Sequence, residues 1–271
     1  MKETRVKTGH IKVNVAVTEE QDPKATIVFI HGFPFNKNIW KQQMVALPEH
    51  IQGIAYDVRG HGKTSSGHGY FSVDQFANDL LNLIKFLKLK NVILCGISMG
   101  GYIALRATES SPETVSGLIL CDTNSMAEGN EGKLNRFAQI ETIMSKDLQA
   151  FTDAFVKKIF SRDTLQKKPK VVDFIRQVIL QNKEKNICAT LLALASRTDT
   201  TVFLDSIKVP TLIIRGEQDQ IISHEQVEIL HQHIKKSTFS LIPESGHLPN
   251  LENPEQFNAI LNEYLTKNFL S

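Results

Sequence analysis

The chain has 271 residues, 41% of them hydrophobic and 22% charged, with a formal net charge of +2 at pH 7. That is the make-up of an ordinary soluble globular chain with enough length for one large α/β domain or two small ones, and a charge so near balance argues against nucleic acid as the main partner. No apolar run approaches a membrane span, and the start, Met1-Lys2-Glu3-Thr4-Arg5, lacks the apolar stretch of a signal peptide, so a cytoplasmic protein with no membrane partner is expected.

Ile11, Val13, Val15 and Val17 alternate with polar residues and Ala16, the period-two pattern of a half-buried strand, hairpinned with Thr4 to Thr8 across Gly9-His10. Thr26 to Ile30 reads as a short strand covered on both faces, and it ends in His31-Gly32-Phe33-Pro34. A helix is predicted around Trp40 to Leu47, then a strand from Ile51 to Tyr56 that runs into Asp57-Val58-Arg59-Gly60-His61-Gly62. The glycines of that stretch suit tight turns, and Arg59 can anchor loops. Ser72 is a suitable N-cap, with Gln75 at the capping-box position, for a helix to Lys88 with apolar positions Phe76, Leu80, Leu83, Ile84 and Leu87. Asn91 to Cys95 reads as a buried strand, Gly101 to Ala107 as a helix start, and Val115 to Cys121 as a further strand ending at Asp122.

The rhythm changes from Met126 to Asp205. Helical patterns dominate there, at Phe137 to Met144, Leu148 to Phe160, Val171 to Leu180 and Ala189 to Ala195, and Lys167-Lys168-Pro169-Lys170 reads as a solvated turn between two of them. Strands resume at Val209 to Arg215 and Thr238 to Ile242, with helices around Val227 to His231 and, capped by Asn253, from Pro254 to Leu265. Alternating strands and helices predict an α/β fold, a mostly parallel sheet of about eight strands with helices on both faces. Residues 1–125 and 206–271 form its core, and 126–205 an all-helical cap inserted after the sixth or seventh strand, over the carboxyl edge of the sheet.

Gly96-Ile97-Ser98-Met99-Gly100 lies where a buried strand meets a helix. A serine between glycines at such a turn is a nucleophile elbow, with Oγ held at its exposed tip. A serine hydroxyl is a poor nucleophile near neutral pH and needs a base; histidine, with an unperturbed pKa of about 6.5, is mostly neutral there. Of nine histidines, His247 sits in Pro243-Glu244-Ser245-Gly246-His247-Leu248-Pro249, directly after the last strand, where a loop can reach the elbow. His231 and His233 are expected in solvent, His68 lies in a Ser/Gly-rich loop, and His224 comes early for the usual order. The base needs a carboxylate to fix its tautomer. Asp219 follows the strand that ends at Arg215, giving the order Ser98, Asp219, His247; Asp122, also at a strand end, and Glu217 are the alternatives. The developing oxyanion needs donors, which the N–H groups of Met99 and Phe33 would supply; Pro34 has none. The odd cysteine count, Cys95, Cys121 and Cys188, fits neither a disulfide framework nor a zinc site, and suits a reducing compartment.

Taken in order, His31 to Pro34, Asp57 to Gly62, Gly96 to Gly101, Gly216 to Asp219 and Gly246 to Glu252 resemble the α/β-hydrolase family in its capped branch, over nearly the whole chain. Met after the elbow serine and Gly246-His247-Leu248-Pro249-Asn250-Leu251-Glu252 most resemble 3-oxoadipate enol-lactonases and small bacterial carboxylesterases. The resemblance implies a serine hydrolase of small esters or lactones, using water and an acyl-enzyme, with no cofactor and no metal. Serine at the elbow departs from the aspartate of haloalkane dehalogenases and epoxide hydrolases, which argues against those activities. The same triad serves hydrolases of C–C bonds in vinylogous diketones, perhydrolases and cofactor-free haloperoxidases, and a ligand sensor or scaffold on this fold can keep it too. A lactonase acting on an acidic substrate would want a cation from the cap, where Arg136, Arg162, Arg176 and Arg197 are the candidates. The pattern leaves the oligomeric state open.

Overall fold

The computed structural model describes residues 1–270. The alternating first residues form a hairpin, β1 (Lys2–Thr8) and β2 (Ile11–Val17), with Thr8 opposite Ile11. Six more strands follow: β3 (Ala25–Ile30), β4 (Ile51–Tyr56), β5 (Val92–Ile97), β6 (Val115–Cys121), β7 (Thr211–Gly216) and β8 (Ser237–Ile242). All eight lie in one sheet, in the order β1-β2-β4-β3-β5-β6-β7-β8. Pairings from β4 to β8 are parallel, and those of β1 with β2 and β2 with β4 are antiparallel. Every residue of β3, β5 and β7 is buried, as continuous apolar runs require when helices cover both faces. The mostly parallel eight-stranded sheet is the one expected from the strand pattern.

Helices α1 (Lys41–Val45), α2 (Val73–Leu87) and α3 (Met99–Ser110) connect the early strands. Between β6 and β7 come α4 (Asn130–Ser145), α5 (Leu148–Ile159), α6 (Arg162–Lys167), α7 (Pro169–Leu180) and α8 (Glu184–Ala195). The last are α9 (His224–His233), α10 (Pro249–Glu252) and α11 (Pro254–Leu265). Several boundaries differ from expectation. The first helix is a 3-10 turn, Lys37–Trp40, followed by α1, and it stops short of Leu47 because Pro48 disfavours a helical residue before it. Ser72 caps α2 through the Gln75 N–H, but Gln75 turns its own side chain to Asp79, so the capping box is half made. Helix α4 starts at Asn130, well before Phe137; Ile143 is its one buried residue, so most of it has no apolar period to read.

Chain order reverses between β3 and β5: β4 pairs with one side of β3 and β5 with the other. Loops that leave adjacent strands in opposite directions open a crevice at the carboxyl ends. Buried polar groups hold those loops. His31, the first residue after β3, accepts the Val58 N–H at Nε2 (2.9 Å), which leaves Nδ1–H to donate to the Gly32 carbonyl (2.8 Å). His61 lies edge-on to it, with ring centroids 5.3 Å apart, and its Nδ1 is 3.1 Å from the Arg59 carbonyl oxygen. Asp57 accepts N–H groups from Lys37 and Lys63 and the amide of Asn14. Arg59 makes a two-pronged ion pair with Asp79 of α2, at 2.6 and 2.7 Å, buried on both sides.

Burial pushes His31 down to about 4. Burial and then the charge of His31 push His61 down to about 3. Both rings stay neutral in the folded chain at pH 7, while unfolded they titrate near 6.5. Below about pH 6.5 the unfolded chain therefore binds protons the folded chain refuses, and stability falls with pH until the folded rings themselves titrate. Each ring contributes a slope of up to about 1.4 kcal/mol per pH unit. Urea unfolding midpoints measured from pH 7 to 4.5 are expected to fall less steeply in His61→Phe than in the wild type; equal slopes would remove His61 from the account.

Candidate active site

Strand β5 ends at Ile97 and α3 begins at Met99, which leaves Ser98 alone at the turn with φ 53° and ψ −117°. Such a backbone costs a non-glycine residue on the order of 1–3 kcal/mol and persists only when its surroundings enforce it. Here they do. A Cβ on Gly96 would strike the Gly100 carbonyl, and one on Gly100 would strike the carbonyl of Ile30. Cys121 at the end of β6 accepts the Ser98 N–H (2.9 Å), and Thr123 donates its hydroxyl to the Ser98 carbonyl (2.8 Å). Met99, as the first residue of α3, has no intrahelical partner for its N–H.

His247 is buried in the loop after β8, and its Nδ1 is 2.9 Å from Oδ2 of Asp219, whose side chain is wholly buried. The other oxygen of Asp219 accepts the Ile221 N–H at 2.8 Å, an Asx-type bond that aims the carboxylate inward. Glu217, by contrast, is exposed and takes the Glu244 N–H. His68 and His224 are exposed and do not line the cavity described below. His231 and His233 are half-buried rather than solvated: His231 Nδ1 meets the Ser237 hydroxyl at 2.8 Å, and His233 Nδ1 lies 3.3 Å from Asp205.

Glu252, the last residue of the Gly246–Glu252 stretch, has a role that no local pattern in the sequence marks. It is wholly buried. One oxygen accepts the N–H groups on either side of His247, from Gly246 (3.0 Å) and Leu248 (3.1 Å), and the other accepts the Ser161 N–H (2.8 Å). His247 in turn donates its own N–H to the Ile159 carbonyl (2.7 Å). The histidine loop is thus sewn to the junction of α5 and α6. The available signal was a single charge, five residues after His247, in a run otherwise made of Gly, Leu, Pro and Asn.

Asp122 directly follows β6 with φ 43° and is fully buried; Oδ1 accepts the Gly216 N–H at 2.8 Å, and Oδ2 has no hydrogen-bond partner. Its carboxyl, that of Asp219 and the His247 ring place one atom each within 4.8 Å of one another. Two ionised carboxylates at that range repel by roughly 3–4 kcal/mol even at an effective dielectric constant of 20. Burial and then the charge of Asp219 hold Asp122 well above the usual carboxylate range. Burial alone would raise Asp219 too, but the charge of His247 and the hydrogen bonds from His247 and Ile221 bring it below that range. Burial and mutual repulsion thus favour the protonated form of Asp122 and the ionised form of Asp219. Among the described residues these three groups are also the one cluster able to ligate a metal ion, but Nδ1 of His247 and three of the four carboxylate oxygens are engaged in hydrogen bonds with one another or with backbone N–H groups.

Ser98 and His247 line a cavity of about 270 Å³ together with Phe33, Met99 and residues of α4 and α5. Phe151 and Phe155 of α5 pack edge-on against Phe33, with ring centroids 6.2 and 6.1 Å away, and so cover the loop after β3. Among the four arginines named from sequence, Arg136 lines the cavity. Arg197 lies beside it, 4.5 Å over the Tyr102 ring, and shares Glu128 with Arg136. Arg176 pairs with Asp153 and Asp173, and Arg162 is exposed. Lys158 of α5 also lines the cavity and has no ion pair among the described residues. A larger groove of about 510 Å³, lined by Lys37, Lys41, Met44, Lys170, Phe174 and Leu251 among others, holds no nucleophile paired with a base.

Known proteins resemble this chain over nearly its whole length. 3-Oxoadipate enol-lactonase 2 of Acinetobacter baylyi is 27% identical over 248 residues, covering 92% of this chain and 91% of that protein. A thermophilic esterase of Thermogutta terrifontis, solved with malate bound, superposes with a TM-score of 0.92 at 29% identity, covering 99% of this chain and all of that one. An esterase of Exiguobacterium antarcticum superposes with a TM-score of 0.88 at 27% identity, covering 98% of this chain and 100% of the other. No helix among the described residues is long and apolar enough to cross a membrane. With the alpha/beta hydrolase fold matching residues 25–254, the chain belongs to the α/β-hydrolase family.

Proposed function

We propose that this protein is a serine hydrolase of small carboxylic esters or lactones, with Ser98, His247 and Asp219 as its triad. The observation that carries the reading is the buried Asp219–His247 bond of 2.9 Å at the wall of a cavity that Ser98 also lines. Ser98 Oγ attacks the carbonyl carbon while His247 Nε2 takes its proton. Asp219 holds Nδ1–H and stabilises the imidazolium. The N–H groups of Phe33 and Met99 receive the oxyanion, each worth about 3 kcal/mol of barrier. Collapse expels the alcohol oxygen, which takes the proton back from His247. A water then gives its proton to His247 and attacks the acyl-enzyme, and Ser98 leaves reprotonated. No step requires a cofactor. Residues 126–205 act as the cap that shapes specificity.

The cavity, at about 270 Å³, falls below the usual range for drug-sized ligands, which favours short acyl groups. Arg136 and Lys158 on its wall, against the one carboxylate of Glu128, favour a substrate that carries its own carboxylate. The name of the A. baylyi relative supports a lactone as readily as an open ester.

In a chromogenic ester series from acetate to octanoate, the wild type is expected to turn over the short chains best, and Ser98→Ala to lose at least about a thousandfold in kcat/KM. A mutant that keeps most of the activity would remove Ser98 as nucleophile. A second comparison tests the cationic wall. Lys158→Gln is expected to raise KM for an ester bearing a free carboxylate about tenfold, with KM for its neutral isostere within about twofold of wild type; equal changes for both esters would sink the preference for acidic substrates.

A further inference from the structure

We propose that Asp122 is a positioning residue: its protonated carboxyl donates a hydrogen bond to Asp219 and fixes which oxygen of Asp219 meets His247. This rests on the triad proposed above. Asp122 directly follows β6, and Asp219 lies in the loop after β7, adjacent strands whose parallel pairing includes Cys121 opposite Ile214. Asp122 is fully buried, in a left-handed backbone that the strand end imposes. Its Oδ1 is committed to the Gly216 N–H, its Oδ2 has no hydrogen-bond partner, and its carboxyl lies in the cluster that contains Asp219 and His247. The titratable groups around it are Asp219, His247 and Cys121; no lysine or arginine pairs with it. A second anion there would have only the imidazolium to balance two charges. A proton on Oδ2 resolves the crowding, and an orphaned acceptor becomes a donor. Asp219 then receives three bonds, from His247 Nδ1–H, the Ile221 N–H and the Asp122 O–H, and its anion is too well satisfied to take a proton from the imidazolium.

A protonated aspartic acid and asparagine present the same pattern, one acceptor and one donor. In Asp122→Asn the amide oxygen can take the Gly216 N–H while the amide N–H₂ faces Asp219. The test uses the full chain as wild type, Asp122→Asn, Asp122→Ala and Asp219→Asn, each checked for folding by circular dichroism. Active sites are counted by titration with a fluorophosphonate. With the chromogenic acetate ester, Asp122→Ala is expected to lower kcat roughly ten- to a hundredfold with KM within about threefold, as loss of a bond to a charged group implies. Asp122→Asn should recover at least about tenfold of that loss and exceed Asp219→Asn by a wider margin. Infrared spectra in H₂O and D₂O at pH 7 should show a protonated-carboxyl stretch in the wild type, and in Ser98→Ala, that is gone from Asp122→Asn. Three results overturn the proposal: Asp122→Asn as impaired as Asp219→Asn, Asp122→Ala with the wild-type kcat, or no carboxyl band that the asparagine removes. If Asp122→Ala fails to fold, the asparagine pair and the spectra still decide. The band does not depend on turnover, so a failure of the serine mechanism, read from Ser98→Ala, is distinguishable from a failure here.

Discussion

Gly96, Gly100 and the carbonyl of Ile30 meet backbone to backbone, with no room for a β-carbon between them. That contact lets α3 begin so close to β5 that Ser98 has to take a positive φ. The penalty is repaid by what surrounds it: the Cys121 carbonyl and the Thr123 hydroxyl clamp both sides of the Ser98 peptide unit. Because those clamps come from the end of β6, the turn cannot relax without pulling on a central strand. The rest of the crevice at the carboxyl edge is assembled around this fixed point.

Much of that assembly uses buried polar groups in place of apolar packing. His31 ties the loop after β3 to the loop after β4, Asp57 gathers N–H groups from two loops, and Glu252 gathers three from around the histidine loop. A buried donor left without a partner costs about 1–3 kcal/mol, whereas apolar surfaces can slide at little cost. Hydrogen bonds of this kind therefore specify position more sharply than they add stability. They sit where loops, which lack a ladder of their own, have to be placed to within a fraction of an ångström.

The sequence was most legible where chemistry and periodicity coincide in a short stretch. The apolar runs of β3, β5, β6 and β7 and the glycines around Ser98 announce themselves locally, and His247 and Asp219 each follow a strand end. Three things stayed out of reach because they are relations between distant segments. The proximity of Asp122 to Asp219 depends on the alignment of β6 with β7. The role of Glu252 depends on Ser161, 91 positions away. Which arginine faces the cavity depends on how α4 and α8 lie over the sheet, and α4 has one buried residue to report its orientation. Helical spacing alone puts His231 and His233 in solvent, whereas Ser237 and Asp205 draw them in.

That sparse anchoring of α4 has an evolutionary consequence. The helix supplies Arg136 and other residues to the cavity wall while only Ile143 is buried. Substitutions along it therefore change the cavity wall without touching the core, so they escape the cavity and overpacking penalties that purge most interior changes. Selection can reshape such a cavity while the buried framework beneath it stays as it is. A lineage with this layout can vary the lining of its crevice by drift along one helix.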